Sequence, residues 1–214
     1  MRAVPCVVSV AEHAGWAHVV CVAMAGNVPA VIERRRITLI DAGVPRMPYH
    51  HESIGMREDE ADALIARVRH SIATRTSLAL QHVVTDLAPA HTIVALAIRK
   101  PPFSELPRSV AEVWQSYRLQ CAADGMMYQL AVCGAARALG LDVHLFRRGE
   151  EAERAAERLG ITPGDIESFV GSAGRPSGAP WTQEHRRAFA AGIAVLTTHT
   201  AVSALALQPN KAAT

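Results

Sequence analysis

The chain has 214 residues, half of them apolar and one fifth charged, with 22 basic residues against 20 acidic ones and a net charge of +2. That length fits one domain of ordinary size or two very small ones, and the apolar fraction excludes a disordered chain. Near-neutrality excludes a histone-like or tail-driven polyanion binder. Only Lys100 and Lys211 are lysines, so the arginine excess reads as a coding bias alongside the abundant alanine; the ten histidines are the one unusual count. The four cysteines, Cys6, Cys21, Cys121 and Cys133, form no C-x-x-C pair and no zinc-finger spacing. They read as buried free thiols in a reducing, cytoplasmic compartment. Glu12 and His13 interrupt the apolar N-terminal run, which argues against a signal peptide. The uncharged stretch from Ala188 to Pro209 approaches bilayer length, but its alanines and the Thr197-Thr198-His199-Thr200 break predict a buried amphipathic helix and no membrane.

In chain order, Ala3 to Ala11 is a β-branched apolar run of strand length, and Trp16 to Ala25 is another, ended by the Gly26-Asn27 turn. Val31 to Asp41 reads as a third strand whose Arg34-Arg35-Arg36 run suits a protected sheet edge. Ala42 to Gly55 is a loop. From Met56 the period changes: Ala61, Leu64, Ile65, Val68 and Ile72 recur at helical spacing after acidic Glu58, Asp59 and Glu60, and the helix continues or restarts through Val84 and Leu87. Thr92 to Ile98 is a continuous apolar run suited to a central strand, stopped by Pro101-Pro102. Ser109 to Leu139 is helical, with a break expected around Asp124-Gly125, and Gly140 is a C-cap. Leu141 to Arg147 is a short fifth strand, and Glu150 to Leu159 is a charged helix closed by Gly160. Thr162 and Pro163 open a further helix, Gly171 to Pro180 is a loop, and Thr182 caps the last helix. Trp114, Tyr117 and Tyr128 fall at helical spacings that favour packing over base stacking.

The order β-β-β-α-β-α-β-α-α predicts a mixed sheet covered on both faces. Two segments carry a resemblance beyond that order. Ser9 to Val20 (SVAEHAGWAHVV) is similar to the first strand, acidic turn and Gly-aromatic second-strand start of the ribonuclease-H-like superfamily, in its Holliday-junction-resolvase-type branch. Glu184 to Leu196 (EHRRAFAAGIAVL) resembles that branch's final Ala-rich helix. The resemblance implies a five-stranded α/β sheet of order 3-2-1-4-5 with the second strand antiparallel. It places one domain over residues 1–196 and a C-terminal helix extension and tail over 197–214.

It also implies metal-assisted phosphodiester hydrolysis, in which carboxylates hold two divalent ions that orient a water and stabilise the leaving oxygen. Carried over by position, Glu12 matches the first-strand acid, with Ala11 the alternative, and Glu184 matches the first acid of the last helix. Arg99 and Lys100 stand at the fourth-strand end and Arg187 in the last helix, where the family keeps acids, so the expected site is degenerate. The catalytic candidates are Glu12, Glu184 and His185, with His13 an alternative proton carrier; Arg99 and Lys100, with Arg108 beside them, are the substrate-phosphate candidates. The metal candidates are Glu12, Glu184, His50 and His51, for magnesium or manganese in an active site and for zinc through the imidazoles. DNA or RNA is the implied partner, with a homodimer expected from the branch and from the apolar tail Ala201 to Leu207. A non-catalytic protein- or nucleic-acid-binding module, or a nucleotide- or phosphate-binding protein on the same fold, is the alternative. The absence of a G-x-S-x-G elbow and of a histidine near Cys121 or Cys133 disfavours acyl transfer.

Overall fold

The computed structural model describes residues 3–174, 178 and 180–199. The first three strands, β1 (Val4–His13), β2 (Trp16–Ala25) and β3 (Val28–Thr38), form an antiparallel meander. The turn between β1 and β2 needs Gly15, whose φ of +92° suits a residue without a Cβ. The expected third strand is shifted: β3 starts at Val28 directly after the Gly26-Asn27 turn and ends at Thr38, while Leu39 folds back to donate its N–H to the Gly15 carbonyl at 3.0 Å. The loop that follows leads into α1 (Glu58–Leu87), one uninterrupted helix with its acidic residues in the first turn.

Beyond it come β4 (His91–Arg99), α2 (Val110–Trp114), α3 (Tyr117–Ala138), β5 (Asp142–Phe146), α4 (Glu150–Leu159), α5 (Pro163–Ala173) and α6 (Gln183–His199). The break expected at Asp124-Gly125 falls instead at Gln115-Ser116, because Asp124 points inward and is hydrogen-bonded from within an intact α3. Part of the loop expected from Gly171 lies in α5. Thr162 caps α5 by accepting the Asp165 N–H, with Pro163 in the first turn.

The strands line up as β3-β2-β1-β4-β5, with β1, β4 and β5 parallel to one another and β2 antiparallel to both neighbours, as the resemblance implies. Period-two alternation splits the strands between two cores. Val8, Val10, Val19 and Cys21 face α1 and α3, meeting Leu64, Val68, Ile72, Tyr128 and Val132. Val7, Val20, Val22, Ala95 and Ala97 face α4, α5 and α6, meeting Leu159, Ile166, Phe189, Ile193 and Leu196. Each such fully buried Leu, Ile, Val or Phe contributes about 1.5–3 kcal/mol of transfer free energy. At Gly192, α6 comes so near the sheet that a Cβ would stand 2.4 Å from Val22 Cγ2 and 2.8 Å from Ser9 Oγ.

Three of the cysteines are buried free thiols, whereas Cys121 is exposed on α3, a correction to the expected burial. Among the described residues no helix is long and apolar enough to cross a membrane. The tail segment Ala201 to Leu207, offered as a dimer surface, lies outside the described residues.

Candidate functional site

The strand directions bring the carboxyl ends of β1, β4 and β5 to one edge of the sheet, and the amino end of α6 joins them there. Open α/β sheets place their ligands at such an edge. Alternation then decides which helix each residue meets. Even-numbered β1 side chains point toward α3, so Glu12 is buried there with 4 % of its side chain exposed. Its Oε1 accepts from Gln129 Nε2 of α3 and from Arg99 Nη2 at the end of β4, both at 2.7 Å. Odd-numbered β1 side chains point toward α6, so Ala11 lines a cleft with Glu184, Arg187 and Arg148. His13, two residues on, places its Nε2 2.6 Å from Glu184 Oε2.

Glu12 and Glu184 therefore engage partners on opposite faces of the sheet, one residue out of phase. On β1, His13 and Ala11 are the side chains nearest the end of the strand on the Glu184 side. Deeper in the same cleft Arg187 Nε lies 3.9 Å from Glu151 Oε1. A two-magnesium centre needs several carboxylate oxygens free to bridge hard cations. Here Glu12 is held by a guanidinium and an amide, Arg187 stands beside Glu151, and Glu184 is paired with the His13 imidazole. These residues do not fit a two-magnesium centre.

His50 and His51 lie apart from this edge group, in the loop between β3 and α1. Their rings lie 4.1 Å apart, and the His50 ring also meets Tyr117 edge-on. The loop is tied to α3. Asp124 accepts the N–H groups of Tyr49 at 3.0 Å and His50 at 3.1 Å, and the Tyr128 hydroxyl donates to the Arg46 carbonyl at 2.8 Å. Burial pushes the Asp124 carboxyl up to about 7, against the pull of those two N–H donors. Glu12 and Glu184 both line the edge cleft, whereas His50 and His51 are not among its lining residues. Among the described residues, the group of His, Cys, Asp and Glu that offers three ligand atoms within 4.8 Å of one another is His13, His18 and Glu184.

His185 is only 2 % exposed, one turn into α6. Its Nδ1 accepts the Thr182 backbone N–H at 3.2 Å and lies 2.7 Å from Thr182 Oγ1, which leaves the ring proton on Nε2. Burial, then the neighbouring His18 and Arg34, push its pKa down to about 4. A buried, neutral imidazole of this kind braces the start of α6 and the His18 ring, whose centroid is 3.9 Å away. On the other side of the edge, Arg99, Lys100, Arg147 and Arg148 line a hollow with Gln129, Gly125 and Cys121. The Lys100 N–H donates to the Phe146 carbonyl at 2.8 Å, which fixes the backbone beneath its side chain. Arg108, from the expected phosphate group, donates its backbone N–H to Glu112.

Sequence reading did not single out His18, Gln129, Arg147 or Arg148. The hairpin register holds the signal for His18: Ala11 pairs with His18 and His13 with Trp16, which makes His13 and His18 diagonal neighbours on one face.

Strand order, strand directions and helical layers on both faces define an α/β protein of the ribonuclease-H-like fold. The chain is similar to Thermus thermophilus RuvC in complex with its Holliday junction substrate, at 12% sequence identity and a TM-score of 0.50, over 91% of this chain and 94% of that one. A second Thermus thermophilus RuvC structure matches at 12% identity and a TM-score of 0.49, over 91% and 95% of the two chains. An Aquifex aeolicus member of the Ppx/GppA family matches at 9% identity and a TM-score of 0.36, over 73% of this chain and 39% of that one. The match at a TM-score of 0.50 supports the fold alone. No protein-family model and no curated protein matches the chain.

Proposed function

We propose that the chain binds the phosphate backbone of nucleic acid, DNA or RNA, along the carboxyl edge of its sheet. In this reading it is a ribonuclease-H-like module whose two-magnesium centre has been replaced. The observation that carries the reading is the exposed set Arg99, Lys100, Arg147 and Arg148, which converges on one hollow between the ends of β4 and β5 and the face of α3. Arg148 also lines the neighbouring cleft, where Glu12, Glu151 and Glu184 balance the arginines, so the basic surface is the hollow itself. Guanidinium groups suit phosphate through paired N–H donors, and Lys100 adds a point charge. The overall charge of +2 conceals this, because it is an average over the chain.

Fluorescence anisotropy with a labelled four-way junction, a duplex and a single-stranded RNA across a salt series tests the reading. Removing one cation that pairs with a phosphate lowers the slope of log K against log salt by about 0.7–0.9. Lys100→Ala and Arg147→Ala are expected to do so additively, and an unchanged slope in the double variant refutes the proposal. Metal-dependent phosphodiester hydrolysis is the second reading. It is supported by the His13–Glu184 imidazole–carboxylate pair at the edge of the cleft, a pairing able to hold and pass a proton. Cleavage of the same substrates with magnesium, manganese or zinc, lost in Glu184→Gln, favours it; turnover unchanged in Glu12→Gln and Glu184→Gln removes both acids from any catalytic role. Thermal stabilisation by a mononucleotide, without affinity for polynucleotides, points instead to a nucleotide-binding protein.

A further inference from the structure

We propose that His13, His18 and Glu184 form a binding site for a divalent transition metal of the zinc type. Three elements that are distant in sequence contribute one donor each: the end of β1, the start of β2 and the first turn of α6. All three ligand atoms lie within 4.8 Å of one another. Two imidazoles and one carboxylate are a borderline donor set, which favours zinc and its neighbours and is poor for magnesium. The site shares Glu184 with the carboxylate centre that the fold suggests but draws its other two donors from the β1–β2 hairpin. It faces β2, away from β4, and takes Glu184 as its one acid.

The surroundings hold the donors in place. Trp16 stacks on the His13 ring with centroids 3.9 Å apart and planes 12° apart, which limits that ring to sliding in its own plane. The His185 ring, itself fixed by Thr182, lies against His18. Tetrahedral ligation at 2.0–2.1 Å spaces donors by about 3.4 Å, so the 2.6 Å approach between His13 and Glu184 has to open by less than about 1 Å. Glu184 has that freedom, with 43% of its side chain exposed. The same exposure leaves a fourth position open to water. Arg36, stacked over Trp16, lies close by and opposes the ion electrostatically, which makes this an exchangeable site.

Cobalt(II) titration of untagged, chelator-stripped protein provides the test, followed by visible absorption, with zinc as competitor and magnesium as control. Saturable absorption of tetrahedral cobalt is expected, displaced by zinc and unmoved by millimolar magnesium. Loss of an outer-shell partner costs about 10–100-fold in metal affinity, so His18→Gln and Glu184→Gln are each expected to weaken binding by more than about 100-fold. His144→Gln, at a histidine on β5, is expected to leave it unchanged. Far-UV circular dichroism verifies that each variant is folded, and His13→Gln, at the turn, stands in for any that is not. No saturable uptake by the native protein, or undiminished uptake by folded His13→Gln and His18→Gln, overturns the assignment. Metal uptake is measured without nucleic acid, so its outcome is independent of binding to a phosphate backbone.

Discussion

Replacing Asp124 by asparagine probes a carboxylate that the fold buries beneath the loop following β3. In the folded chain its pKa is raised to about 7 from an ordinary 3.8, chiefly by burial, despite the N–H groups of Tyr49 and His50 that it accepts. Between those two values the folded state keeps a proton that the unfolded state releases. Stability therefore falls as pH rises through the window, by up to about 1.4 kcal/mol per pH unit and about 4 kcal/mol in all. Asparagine cannot titrate. It keeps one carbonyl acceptor but turns an amide donor toward the second backbone N–H, at a cost of about 1–3 kcal/mol at every pH. Asp124→Asn is thus expected to be the less stable protein at pH 4.5, to draw level as pH approaches neutrality, and to be the more stable one near pH 8. Urea unfolding followed by circular dichroism from pH 4.5 to 8 measures both proteins. The lowered pKa values of His18 and His185 act in the opposite sense, removing stability as pH falls, but they are common to both proteins and cancel in the difference. A difference that stays constant within about 0.5 kcal/mol across the range would refute the reasoning.

Gly192→Ala gains about 1 kcal/mol of helix propensity but drives a methyl to 2.4 Å from Val22 Cγ2, at an overpacking cost of about 1–3 kcal/mol. A lower urea midpoint is expected, and a clearly higher one would show that α6 is not seated on Ser9 and Val22. Ellman's reagent is expected to titrate one thiol rapidly in the native protein, exposed Cys121. The other three should react only after unfolding, because burial raises the thiol pKa of Cys6, Cys21 and Cys133. Two or more fast thiols would contradict the burial of those three side chains.

The architecture was readable because it rests on local periodicity. β2 and α4 coincide with the runs Trp16 to Ala25 and Glu150 to Leu159, whereas the sheet order came from the family resemblance. The site was only partly readable, since it turns on phase. Glu12 looks like a first-strand acid by position, yet an even residue on β1 faces α3 and finds Gln129 and Arg99. His13, its neighbour, is the residue that faces Glu184. His50 and His51 gave no orientation signal, because a loop without regular period does not say which way a ring turns. His18 carries no local signal, since only the hairpin register places it diagonal to His13. Arg147 and Arg148 lie in the turn after β5, so their convergence with Lys100 exists only in three dimensions.

The position of α6 bears on the biosynthesis of the protein. β1, β2 and β3 are near neighbours in the chain and can pair as soon as they leave the ribosome, whereas Val4 has to wait for His91 before β4 can dock. Val7, Val20 and Val22 wait longer still, because Phe189, Ile193 and Leu196 are among the last described residues to be made. After α1 and α3 have covered one face of the β1–β3 meander, the opposite face keeps Val7, Val20 and Val22 uncovered by α6. The nascent chain must shield that side from other molecules, or have it shielded, until α6 arrives.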